Sequence, residues 1–129
     1  MAIRTRRQSV GINTEPFRYF GNFSADATKW FGSAMNDSGC IYSVPYNPNN
    51  ILKINTNNDT VATFGSFGAS TDKWYAAVSA GNRYVYGVPH NATSVLKIDS
   101  VTDTVSTIGS FAGSDKWRAS VVAGNGCIY

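Results

Sequence analysis

The chain repeats itself. Trp30, Trp74 and Trp117 are each preceded by a lysine (Lys29, Lys73, Lys116) and lie 44 and 43 residues apart. The same offsets carry Phe23 onto Phe67 and Phe111, and Tyr42 onto Tyr86 and Tyr129. They also carry Val44-Pro45-Tyr46 onto Val88-Pro89-His90, Leu52-Lys53-Ile54 onto Leu96-Lys97-Ile98, and Thr60-Val61 onto Thr104-Val105. So many independent matches at one offset leave no room for chance, and the period governs every later reading.

Each unit reads as four short strands. In the middle unit, Trp74-Tyr75-Ala76-Ala77-Val78 is the first, with Trp74, Ala76 and Val78 on one face by the period-2 rule. A turn at Ala80-Gly81-Asn82 leads to Tyr84-Val85-Tyr86-Gly87-Val88. The loop Pro89-His90-Asn91-Ala92 precedes a third strand over 94–99. The polar turn at Thr102-Asp103 leads to a fourth over 104–111, rich in β-branched residues. A Gly/Ser loop, Ala112-Gly113-Ser114-Asp115, then delivers the next Lys-Trp. No segment carries a 3.6-residue apolar period long enough for a helix.

Four antiparallel strands at this period mark a propeller blade. The strand order resembles the blades of YVTN- and NHL-type propellers, carried here by Asn82-Arg83-Tyr84-Val85-Tyr86, Ser94-Val95-Leu96-Lys97-Ile98-Asp99 and Asp103-Thr104-Val105-Ser106-Thr107-Ile108. The resemblance covers nearly all of the chain from Ser9 onward. It implies that the Lys-Trp strand is innermost, lining the axis, and that the Thr-Val strand is outermost. The tryptophan and the Val-Pro-Tyr/His step depart from that pattern, so no ligand follows from it.

The units are cut within a blade. Ser9-Val10-Gly11-Ile12-Asn13-Thr14 reads as a worn third strand and 17–23 as a fourth, after a basic arm over 1–8. Complete blades follow at about 30–67 and 74–111, and 117–129 supplies only a first and second strand. A single chain would close a ring of three, whereas propellers have roughly four to eight blades. The expected fold is therefore all-β: a β-propeller of four-stranded antiparallel blades, with three blade-equivalents per chain. Two chains would form a six-bladed, strand-exchanged homodimer, which also pairs the open strand edges. The rival expectation is a fragment of a longer repeat protein.

Composition sets further bounds. Hydrophobic residues make up 43% of 129 residues, which excludes a disordered chain. No apolar run approaches the roughly 20 residues that cross a bilayer. Arg4, Arg6 and Arg7 are not followed by an apolar stretch, so they do not open a secretory signal. A soluble, non-exported, cytoplasmic protein with no membrane contact is the default. Those arginines supply three of the eleven basic residues behind a net charge of +3. They read as a solvated, frayed terminus before they read as a grip on nucleic acid. Cys40 and Cys127 fall at one repeat position, taken by Tyr84 in the middle unit, and read as small buried hydrophobes.

Catalysis is not expected. Glu15 is the only Glu and His90 the only His, and no paired carboxylates, Ser-His-Asp spacing, phosphate loop or metal cluster is present. Neither a metal nor a cofactor is called for. Asp59, Asp103, Asp72 and Asp115 read as turn residues bonded to local amides. His90 reads as a residue of a surface loop, and the sequons at Asn22, Asn36, Asn58 and Asn91 as turn composition.

The functional candidates gather on one rim of the inferred blade, where the loops before the first strand and after the second open together. They are Lys29, Trp30, Tyr46, Asn47, Lys73, Trp74, His90, Asn91, Lys116 and Trp117. Two-fold symmetry would double the three Lys-Trp pairs into a ring. Aromatic rings stack on sugars, Asn amides match hydroxyls, and Lys favours an anionic ligand. The expected function is a lectin-like, multivalent binding module for a carbohydrate or anion. The alternative is a structural or protein-interaction scaffold, in which the tryptophans are wedges between blades.

Overall fold

The computed structural model describes residues 18, 21–25 and 28–129. The basic arm, the worn third strand and most of the 17–23 segment lie outside the described residues. Two four-stranded antiparallel sheets follow, each a meander in chain order, and the described residues contain no helix. The first holds β1 (Trp30–Met35), β2 (Cys40–Pro45), β3 (Ile51–Asn55) and β4 (Thr60–Phe64). The second holds β5 (Trp74–Ser79), β6 (Tyr84–Pro89), β7 (Val95–Asp99) and β8 (Thr104–Ile108). The all-β expectation stands, as two antiparallel four-stranded sheets.

The fourth strands are shorter than expected. Gly65 and Gly109 take φ of +83° and +80°, a left-handed turn that ends the ladder before Phe67 and Phe111. The turn is tight enough that a methyl on Gly65 would meet the Phe67 ring at 2.8 Å. It swings each Phe edge-on against the tryptophan of the following unit: Phe23–Trp30 at 5.3 Å, Phe67–Trp74 at 5.1 Å and Phe111–Trp117 at 5.3 Å between centroids. The same contact thus recurs three times along the chain.

Residues 117–129, expected as two strands, form a hairpin with one bridge, Val122 to Ile128. Val121 and Tyr129 exchange backbone hydrogen bonds of 2.8 and 2.9 Å. Without a third strand outside it, this pairing is all that the segment can make with itself.

The core lies between the two sheets. Tyr42 and Val44 of β2 and Ile51 of β3 meet Val85, Leu96 and Ile98 of the second sheet, all fully buried. Each such aliphatic side chain contributes about 1.5–3 kcal/mol by leaving water. The first strands come closest. A methyl on Gly32 would fall 2.4 Å from the Ala76 Cα, so only glycine permits this approach of β1 to β5. At Gly87 a methyl would crowd the Leu96 Cβ and the Val44 side chain, at 3.0 and 3.1 Å.

A polar latch closes the outer part of this interface. The Tyr42 hydroxyl donates to Asp103 Oδ1 at 2.9 Å and approaches the Ser100 carbonyl at 3.2 Å. Lys53, beside Tyr42 in the β2–β3 register, reaches Asp103 Oδ2 at 2.5 Å. Asp103 was expected to bond local amides. Its left-handed backbone, φ +54°, instead leaves the carboxylate to span to the neighbouring sheet. Asp59 behaves similarly, paired with Arg18.

The same repeat position is covered very differently along the chain. Tyr42 is 0% exposed beneath the second sheet, Tyr86 is half-buried and Tyr129 is 70% exposed. Cys40 is buried as expected, while Cys127 is exposed; both are free thiols.

Burial, then the Asp103 hydrogen bond, raises the Tyr42 phenol well above its ordinary value. A raised folded pKa means stability fully present below about pH 10 and lost as pH climbs beyond it. Tyr42→Phe should cost about 1–3 kcal/mol at neutral pH. Urea titrations above pH 10 should show a shallower alkaline loss for the variant than for wild type.

Candidate functional site

The candidate residues sit on a continuous belt of backbone hydrogen bonds. The Tyr46 amide donates to the Lys29 carbonyl, and the Lys73 amide to the Tyr46 carbonyl, at 3.1 and 2.9 Å. The His90 amide then donates to the Lys73 carbonyl, and the Lys116 amide to the His90 carbonyl, at 2.8 and 3.0 Å. Bonds within a unit alternate with bonds between units. The lysine before each Trp is therefore the point where one unit is sewn to the last.

Side chains repeat the stitch. Asn47 Oδ1 accepts the Asp72 amide at 3.0 Å, and Asn91 Oδ1 accepts the Asp115 amide at 2.8 Å. Thr28, Asp72 and Asp115 all hold left-handed backbones, φ +52° to +55°, at equivalent positions two residues before each Trp. The Tyr46 phenol pKa is raised, by burial first and then by the neighbouring Asp72 carboxylate. His90 Nε2 lies 3.1 Å from Asp115 Oδ1. The Tyr-to-His exchange between units thus keeps a side-chain contact to the next unit's aspartate.

His90 differs from its expectation as a surface-loop residue. It is 2% exposed, covered by Asp115 and by the rings of Tyr46 and Tyr75. Its Nδ1 has no protein partner among the described residues. Lys73 is also only 2% exposed, its ammonium donating to the carbonyls of Asn47, at 3.0 Å, and Ser70. Burial lowers its pKa, with Asp72 opposing the shift. The Trp30 and Trp74 indoles donate to the carbonyls of Asn50 and Ser94 at 3.0 and 2.9 Å. Trp74 is buried and Trp117 46% exposed. Lys73 thereby ties its unit to the preceding one, while each indole bond closes a tryptophan onto its own unit.

Two grooves open at the seams. The first, about 450 Å³, is lined by Lys29, Trp30, Asn47, Asn49 and Thr63 among others; the second, about 280 Å³, by Lys73, Trp74, Asn91, Thr93 and Thr107. Eight of the ten residues lining each are repeat equivalents. No described bond uses the side-chain NH2 groups of Asn47 or Asn91, which leaves donors at both grooves.

Tyr46 and His90 lie apart from the grooves, in an aromatic cluster with Phe31 and Tyr75. Phe31 and Tyr75 stack at 4.7 Å and 11°, and the Arg118 guanidinium lies 5.6 Å from the Tyr75 ring centre. Phe31, Tyr75 and Arg118 share one repeat position, the residue after each Trp, which the sequence reading passed over. The signal was there: an aromatic out of phase with the Trp face. Irregular β1–β2 and β5–β6 registers directly after Trp30 and Trp74 bring these rings together. Among the described residues, no three of His, Cys, Asp and Glu gather to hold a metal.

Comparison with protein-family models, with curated proteins and with solved structures found no match to this chain.

The burial difference between equivalent lysines has a measurable consequence. Lys73→Met keeps the stem but orphans two carbonyls, and should cost about 1–3 kcal/mol. Lys116→Met, at a partly exposed site, should cost about 0.5 kcal/mol or less. Equal losses in chemical denaturation would contradict the assignment.

Proposed function

We propose that the chain is half of a six-bladed β-propeller completed by a second copy, and that the ring is a non-catalytic binding module with equivalent grooves at its seams. The observation that carries the binding reading is the pair of grooves built from the same repeat positions. Each combines a Phe–Trp edge, Asn amide donors and Thr hydroxyls, a mixture suited to carbohydrate. At the second groove the Lys73 ammonium is capped by the carbonyls of Asn47 and Ser70 rather than by a carboxylate, an arrangement that favours an anionic sugar over a cationic one. Weak equivalent sites on a ring gain through avidity.

Closure into a ring is supported by the side-by-side first strands, by the belt that advances unit by unit, and by the resemblance of the strand pattern to YVTN- and NHL-type blades. The solvent-facing side of the second sheet repeats the pattern that the first sheet buries.

A scaffold without a small ligand is the second reading, favoured by the burial of Lys73 and Trp74. A glycan array separates the two. The binding reading predicts retention of neutral or anionic glycans by wild type and its loss in Asn47→Ala/Asn91→Ala. Silence across the array from folded wild type would favour the scaffold.

A further inference from the structure

We infer that Arg118 of one copy stacks on Phe31 of a second, so that a column of flat side chains runs unbroken across the seam between chains. This rests on the ring reading above and names a contact that would hold the ring shut.

The column begins within the chain, at the residue after each Trp. Phe31 follows Trp30 in β1, and Tyr75 holds the same place in β5. Their rings are stacked, 4.7 Å between centroids and 11° between planes. The third member is Arg118, whose guanidinium lies 5.6 Å from the Tyr75 ring centre. Each unit thus places a flat group against that of the unit before it. A guanidinium continues such a stack because it is planar and its charge is drawn to the negative face of a ring.

Both ends of the column are open. Phe31 is 50% exposed. Tyr46 meets it at 4.7 Å, yet lies 5.7 Å from Tyr75 as well and stands almost perpendicular to both rings. It therefore sits beside the pair; over the far face of Phe31 it would be about twice the stacking distance from Tyr75. Among the described residues no other ring contact reaches Phe31. At the opposite end the Arg118 side chain is 65% exposed, and its ion pair with Asp115, itself 71% exposed, is long at 3.9 Å. Such a pair holds Arg118 only weakly. One end offers an aromatic face and the other a cation.

The order of units decides what meets these ends. In the ring, the unit opened by Trp117 is followed by the unit opened by Trp30 of the second copy. The step that leads from Phe31 to Tyr75, and from Tyr75 to Arg118, then leads from Arg118 to Phe31 of that copy. Two-fold symmetry forms the contact twice, and the column closes on itself around the axis. The occupant of each open end is thus a second copy, complementary in chemistry and continuous with the stacking between the two sheets.

A charge exchange tests the contact in solution. Phe31→Lys sets two cations together at both seams of its homodimer, and Arg118→Glu sets a carboxylate on the negative face of Phe31. Each should weaken the dimer about tenfold or more. In a mixture of the two, the heterodimer pairs the introduced lysine with the introduced glutamate at one seam and keeps Phe31 on Arg118 at the other. Affinity should then return close to that of wild type. Arg118→Ala, at an exposed side chain, carries the test should Phe31→Lys fail to fold, and should weaken the dimer about tenfold. Arg118→Lys, which keeps the charge but not the plane, should weaken it less. Unaltered affinity in Arg118→Ala and Arg118→Glu overturns the contact while leaving a dimeric ring intact. Two folded charge variants that do not recover on mixing overturn it too. A monomeric wild type removes the ring reading, and this contact with it.

Discussion

Each sheet in this chain is apolar on both faces, and four short strands cannot cover two faces with their own loops. The contact of one sheet with the next is the interaction on which the rest depends. It decides where glycine is obligatory, as at Gly32 against Ala76, where any side chain would strike backbone. It also explains why Tyr42, polar at its tip, is fully buried: the neighbouring sheet supplies Asp103 and the Ser100 carbonyl for its hydroxyl. A buried phenol without those partners would cost more than its ring contributes.

The belt from Lys29 to Lys116 carries the same dependence along the chain. Each unit contributes a carbonyl that only the next unit's amide satisfies. Function, in this account, rides on the seams because seams are where concavity arises. The residues that line each groove are held by the bonds that join units, so a groove is as rigid as the junction beneath it. Rigidity of this kind lowers the ordering cost of binding a ligand.

Much of the architecture was legible beforehand. Period-2 alternation within a 43–44 residue repeat located the four strands of the middle unit to within a few residues. What escaped depended on contacts between units. Gly109 looks like a strand residue in a β-rich run, and only its left-handed turn, with Phe111 folded back on it, ends the strand. Asp103 has the composition of a local turn, but its carboxylate is claimed by a tyrosine 61 residues away. His90 lies in a loop that would be exposed if Asp115 of the following unit did not cover it. Phe31 and Tyr75 were missed because the irregular pairing after each Trp changes which way the next residue faces.

The gradient of exposure at one repeat position, from buried Tyr42 to solvent-facing Tyr129, is what the proposed ring, opened at one seam per chain, would leave on a single chain. Sedimentation velocity across a wide concentration range tests that claim most directly. The account predicts one compact species of twice the 13.9 kDa chain mass. A single species of 13.9 kDa at every concentration would contradict it.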